Sequence, residues 1–262
     1  PQFWADFTMP AEKFERHDFK LNKRDDSRHA FVAITDVHLA NQRNDVATFE
    51  ERCMPVIRYE IEKLQEQGIP VFTFHLGDGS WDSYWYANNF PIGKLRDVFN
   101  SVNYPTSIFN VMGNHDNNGA EKHSPTVDFD AARPFMKSFG PRYHSFDAGG
   151  IHYMVLDNIV YKNESTDKPV SPGINGKRNF IEEFTPEELA WMRKDLADVP
   201  YNKPIIIAMH APLLQRYDKD GKFIKNSKTR EENMAEFMEI LAPYEKVHTC
   251  LLYTSDAADD KA

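Results

Sequence analysis

Thr106-Ser107-Ile108-Phe109-Asn110-Val111-Met112-Gly113-Asn114-His115-Asp116 is a mostly apolar run that stops abruptly in a glycine and three polar residues. The run has the length and the β-branched and aromatic content of a buried strand. Polar residues set directly after such a strand are costly without a task, so Gly113–Asp116 is the first candidate for chemistry. The same arrangement recurs along the chain. Phe31–Thr35 ends at Asp36, with His38 close behind; Pro70–Leu76 ends at Gly77-Asp78; Pro204–Met209 ends at His210. In open α/β sheets the ligand crevice lies at the C-terminal strand edges, where residues distant in sequence converge.

Helical signals fill the intervals. Ile57, Ile61 and Leu64 share one face of a helix that Gly68 and Pro70 stop, and Pro55 marks either a kink or the true start. Thr185-Pro186-Glu187-Glu188 carries an N-cap, a first-turn proline and a glutamate at the capping-box position. Tyr143–Phe146 and Ile151–Asp157 form a hairpin across Asp147–Gly150. The stretch 161–179, rich in Lys, Asn, Gly and Pro, is expected to be a surface loop, with Lys177 and Arg178 as solvated charges or substrate contacts. Cys53 is expected to be a small buried residue on an amphipathic helix.

The candidate ligands Asp36, His38, Asp78, Asn114, His115 and His210 offer carboxylate, imidazole and amide oxygen without a thiolate. That set suits Mn, Fe, Zn or Mg and does not suit a cysteine-rich structural zinc. Taken singly, an Asp-x-His pair can be a surface turn and His210 a core histidine. Taken together, in order and at strand ends, they describe one metal centre. Net charge is -9 in 262 residues, which argues against a surface built on phosphate contacts to nucleic acid. No apolar run approaches the roughly 20 residues of a membrane span.

Asp36-Val37-His38, Gly77-Asp78, Gly113-Asn114-His115-Asp116 and His210 resemble four of the five signature blocks of calcineurin-like metallophosphoesterases. The resemblance spans roughly residues 30–249. It implies an α/β (α+β) fold: a double β-sheet sandwich flanked by helices, with a binuclear site at the C-terminal strand edges. It implies that Asp36 and His38 hold one divalent ion, Asn114 and His210 a second, and that Asp78 bridges both. His115 would lie beside the scissile phosphate as general acid or charge stabiliser, oriented by Asp116 or Asp82. The implied reaction is hydrolysis of phosphate mono- or diesters of a small substrate, with a metal-bridging hydroxide as nucleophile. A non-catalytic metal-binding module of a larger exported protein, and a nuclease, are the alternatives. Trp81 and His38 stand where purple acid phosphatases would have Tyr and Gly, so the similarity is nearer to a bacterial, often exported, multi-module branch. That branch implies a periplasmic or extracellular location, with residues 1–29 as a linker or remnant of a preceding module.

The fifth block, Gly-His-x-His, is expected just beyond Tyr244–Thr249, so His248 is expected to enter that strand and not to be a ligand. From Cys250 the residues match translated sequencing adapter, with a natural acidic tail as the alternative; without residues 250–262 the net charge becomes -7. Lacking that block, each ion is short of one imidazole, and the chain is expected to bind metal weakly and turn over little. Trp81, Tyr84, Trp85, Tyr86 and Phe90 follow the bridging aspartate. They are either loop packing or an aromatic wall beside the ions, with Trp81, Tyr84 and Trp85 as the candidate substrate contacts.

Overall fold

The computed structural model describes residues 25–162, 164–171, 174–177, 179–212, 216–217, 223–224 and 231–251. One sheet holds three parallel strands, β1 (Ala30–Ile34), β2 (Val71–His75) and β3 (Ile108–Asn110), with β2 in the middle. A second sheet has β4 (His144–Ala148), β5 (Ile151–Val155), β6 (Ile205–Met209) and β7 (Val247–Leu251), in that spatial order. β5, β6 and β7 are parallel, and β4 runs back against β5. Gly149 and Gly150 turn that hairpin at φ 55° and 77°, the left-handed values that tight two-residue loops demand.

Strand alternation divides the core. Phe72 and Phe74 of β2 face the second sheet and meet Tyr153, Val155 and Ala208. Phe109 stacks on Phe146 across the gap with ring centroids 4.1 Å apart. Burying a side chain such as Phe74 completely contributes about 1.5–3 kcal/mol, so this aromatic layer is what joins the sheets. The opposite face of β2 turns to helices: the ring of His75 lies 5.8 Å from that of Phe99. Covered on both faces, β2 is buried at every residue, Thr73 and His75 included.

Helices α1 (Met54–Gln65), α2 (Ile92–Ser101) and α3 (Val127–Phe139) contribute Met54, Leu95, Phe99 and Phe135 to the outer layer of the first sheet. Helices α4 (Pro186–Leu196) and α5 (Glu231–Leu241) cover the second sheet with Leu189, Met192, Phe237 and Ile240. The architecture is therefore the expected double sheet flanked by helices. No helix among the described residues is long and apolar enough to cross a membrane.

Several details differ from the sequence reading. Cys53 is exposed, because a π-turn over Phe49–Cys53 precedes Pro55, which lies in the first turn of α1 and marks its start. Thr185 caps α4 by accepting from Glu188 N (3.2 Å), but the Glu188 carboxylate turns inward and accepts from Asp157 N (2.9 Å). The expected loop after Tyr161 contains paired strands, Glu164–Ser171 against Ile174–Lys177 and Val160–Tyr161 against Phe180–Ile181. Polar composition concealed the β-branched residues and the Pro172-Gly173 turn signal there. Arg178, Asn163, residues 1–24 and residues 252–262 lie outside the described residues. β7 supplies the sheet edge, with exposed His248 paired to Ile206.

Candidate metal centre

Two chain exits run side by side where β1 and β2 end. Asp36 N donates to Gly77 O (3.1 Å), His38 N to Asp78 O (3.1 Å) and Leu39 N to Gly79 O (3.0 Å). The pairing persists although Asp36, His38 and Asp78 take φ of 52°, 45° and 52°. For non-glycine residues that region is sparsely populated and costs on the order of 1–3 kcal/mol each. Strain of this kind at three would-be ligands is what a site held open by its surroundings looks like. Gly113 serves by what it lacks: a Cβ there would lie 2.2 Å from Asp78 Oδ1 and 2.3 Å from Asp78 N. Gly77, at φ 97°, similarly leaves room for His210, whose Nδ1 would be 2.5 Å from a Cβ.

The ends of β1, β2, β3 and β6 bring all five expected ligands together. Asp78 Oδ2 lies 3.3 Å from His38 Nε2 and 3.3 Å from His210 Nε2. His210 Nε2 is 3.1 Å from Asn114 Oδ1, and His38 Nε2 is 3.9 Å from Asp36 Oδ1. His210 donates Nδ1–H to Leu76 O (2.8 Å), which turns Nε2 toward Asp78 and Asn114. Ligand atoms of Asp36, Asp78 and His210 lie within 4.8 Å of one another, as do those of His38, Asp78 and His115. A cation with bonds of about 2.0–2.2 Å sets neighbouring donor atoms roughly 3 Å apart. The donor spacing and the donor chemistry both fit divalent cations, with Asp78 common to the two groups.

Electrostatics point the same way. Burial pushes Asp78 up, yet the charges of His210 and His115 and the bonds to His210 and His38 hold it well below the usual carboxylate range. Burial works against protonated His210, but the Asp78 carboxylate and the bond to Leu76 O raise it to about 10. In the protein alone, the proton on His210 answers a charge that cations would otherwise balance. Burial lifts Asp36 above its ordinary value.

His115 is fixed twice: its backbone N–H donates to Asp78 Oδ1 (2.8 Å), and its ring Nδ1 is 2.9 Å from Asp82 Oδ1. Of the two acids expected to orient His115, Asp82 makes the contact. Asp116 instead ties loops together, accepting from Gly79 N (3.1 Å), Ser80 N (3.0 Å) and Gly113 N (3.0 Å). Burial and the nearby charge of Asp78 lift Asp116 to about 6.

The family model described as calcineurin-like phosphoesterase matches residues 29–241. The chain belongs to that family. No curated protein matches it. Among solved structures, a dimetal phosphatase from Danio rerio is similar at 12% identity over 83% of this chain and 78% of that one, with a TM-score of 0.47. The phosphopantetheinyl hydrolase from Mycobacterium tuberculosis is similar at 11% identity over 85% and 77%, with a TM-score of 0.36.

In this calcineurin-like phosphoesterase the aromatic residues after Asp78 separate. Trp81 lies beside the centre, its ring 5.4 Å from that of His38 and 5.8 Å from that of His115, with Tyr84 edge-on behind it. Trp85, a candidate for either loop packing or substrate contact, is buried and donates Nε1–H to Ser80 Oγ (3.0 Å). Its position four residues after Trp81 puts it on the core side of the turn begun at Asp82–Tyr84. Two buried residues near the ligands escaped the sequence reading. His75 is kept neutral, pushed down to about 4 chiefly by burial. Asn158 bonds the residue after His210. The signal for Asn158 was present, since β5 also ends in polar residues, Asp157-Asn158.

Proposed function

We propose that the chain is a metal-dependent hydrolase of phosphate mono- or diesters. The observation that carries this reading is the Asp78 carboxylate, one oxygen of which is 3.3 Å from an imidazole nitrogen on either side. Asp36 and His38 would hold one divalent ion, Asn114 and His210 the other, and Asp78 both. When bound, the ions supply Lewis acidity, neutralising phosphoryl charge and lowering the pKa of a water.

The remaining chemistry belongs to side chains. Asp82 Oδ1 lies 2.9 Å from His115 Nδ1 and fixes the ring, so Nε2 is the nitrogen that would act on substrate. As the phosphorus–oxygen bond breaks, His115 would act on the leaving oxygen as general acid or charge stabiliser. Trp81, half-buried against His38 and His115, offers an aromatic face to the organic part of the ester.

The test is to compare Asp78→Asn and His115→Asn, in a protein that carries the Gly-His-x-His block, by metal analysis after dialysis and by turnover of a chromogenic phosphodiester and phosphomonoester in added manganese. Asp78→Asn is expected to lose both ions. His115→Asn is expected to keep them and to lose about 10²–10⁴-fold in turnover. Because a His115 nitrogen also lies within 4.8 Å of ligand atoms of His38 and Asp78, loss of metal from the His115 variant would make it a ligand and overturn the assignment.

A further inference from the structure

β5 and β6 pair in parallel as far as Val155 and Ala208, and Leu156 N makes one more bond to Ala208 O (2.9 Å). Past that point the backbone ladder stops, yet His210 must be held two residues farther on. Fully buried Asn158 fills the gap. Its Nδ2 donates to Ala211 O (2.6 Å), and its Oδ1 accepts from Ala211 N (3.1 Å). One side-chain amide thus satisfies both backbone groups of the residue following His210. The same Nδ2 lies 3.6 Å from Met209 Sδ, on the other side of His210.

We propose that Asn158 is the positioning residue that sets His210 for its ion: a side-chain continuation of the sheet, made where strand geometry has to be abandoned. The assignment rests on the reading of His210 as a ligand. The amide is suited to this task because it presents a donor and an acceptor in one plane; an aspartate keeps only the acceptor and a leucine neither. Asn158 is itself anchored away from the ions. Its neighbour Asp157 accepts from Arg142 Nε (2.5 Å) and from Ile159 N (3.0 Å), and Asp157 N donates to Glu188. Arg142 in turn donates to Asp128 (2.7 Å). The clamp therefore ties one ligand to a buried ionic network in the body of the domain.

The experiment uses the full chain with Asn158→Leu, Asn158→Asp and, as a control for general destabilisation, Leu196→Ala in the same core layer. Manganese titration followed by calorimetry and electron paramagnetic resonance reads the two ions, and hydrogen exchange of the metal-free protein reads the Ala211 amide. Asn158→Leu is expected to weaken one ion about 10–100-fold and to leave the other within about two-fold, as loss of an outer-shell partner does. Its Ala211 amide should lose protection while the Ile207 amide keeps it. Asn158→Asp should keep the Ala211 protection and recover part of the affinity. Leu196→Ala should lower Tm without favouring either ion. Unchanged ion binding and unchanged Ala211 exchange in Asn158→Leu overturn the proposal. So does an equal loss of both ions that Leu196→Ala reproduces at the same Tm. If a chain that carries the Gly-His-x-His block takes up no manganese, the phosphoesterase reading fails, and Ala211 exchange alone decides for or against the clamp.

Discussion

Gly113→Ala adds one methyl group at the tightest point of the centre. Its carbon would start 2.2 Å from Asp78 Oδ1 and 2.3 Å from Asp78 N, and contacts under 3.0 Å are essentially never seen. The two exit loops would have to part by about 0.8 Å, and neither can yield cheaply. Asp78 N is backbone, Asp78 is already at φ 52°, and its Oδ1 is tied to His115 N. Movement of Gly113 would also stretch its bond to Asp116 and carry Asn114 along. A misplacement near 1 Å costs about 10²-fold in rate, equivalent to about 2.7 kcal/mol of transition-state stabilisation. Overpacking should remove about 1–3 kcal/mol of stability as well, which for a chain of this length lowers Tm by about 2–4 °C per kcal/mol. Gly93→Ala is the matched control. Its Cβ would meet nothing nearer than Ser138 Oγ at 3.6 Å, and its helical site should gain about 0.4–1 kcal/mol. kcat/KM on a chromogenic phosphodiester, manganese affinity and Tm are measured for both. A Gly113→Ala protein with unchanged affinity and turnover would show that the crowding around Asp78 does not set the centre's geometry.

The aromatic pair should divide by role: Trp85→Ala should cost about 3–5 kcal/mol of stability, while Trp81→Ala leaves Tm nearly unchanged and raises KM for esters with aromatic groups. Equal Tm losses in thermal melts would refute that division. His152, between Asp147 Oδ1 and Asp195 Oδ2 at 2.9 Å each, is disfavoured as a cation by burial but raised overall by the two carboxylates, with Lys203 and Ser145 completing their bonding. A raised histidine contributes fully below its unfolded pKa of about 6.5 and loses that contribution as pH climbs through the folded value. Both aspartates are lowered, so their share appears above about 3.9 and is lost on acidification. Wild-type Tm should therefore fall relative to His152→Gln as pH rises above about 6.5, and parallel Tm curves would refute the charged pairing of His152 with Asp147 and Asp195.

What could be read in advance and what could not follow one physical line. Asp36, His38, Asp78, Asn114 and His210 were legible because a buried strand announces itself by composition, and a polar residue at its end has few reasons to be there. β2 is the plainest instance, buried throughout and then broken at Gly77-Asp78. The choice between Asp82 and Asp116 was not legible. Both are acids in loops beside the centre, and only the turn at Asp82–Tyr84 aims one of them at the His115 ring. Trp81 and Trp85 were indistinguishable for the same reason, since direction within an irregular loop has no period.

Asn158 shows the deeper limit. A residue that binds an ion must be of a particular chemical type, and type is printed in the sequence. Asn158 meets the backbone of Ala211, 53 positions away, and every residue carries the same backbone N–H and C=O. Such a partner leaves no trace of itself. Residues with the chemistry to act on ions can therefore be singled out by type, whereas the polar end of β5 marks Asn158 and only two strand ends seen side by side reveal what it holds.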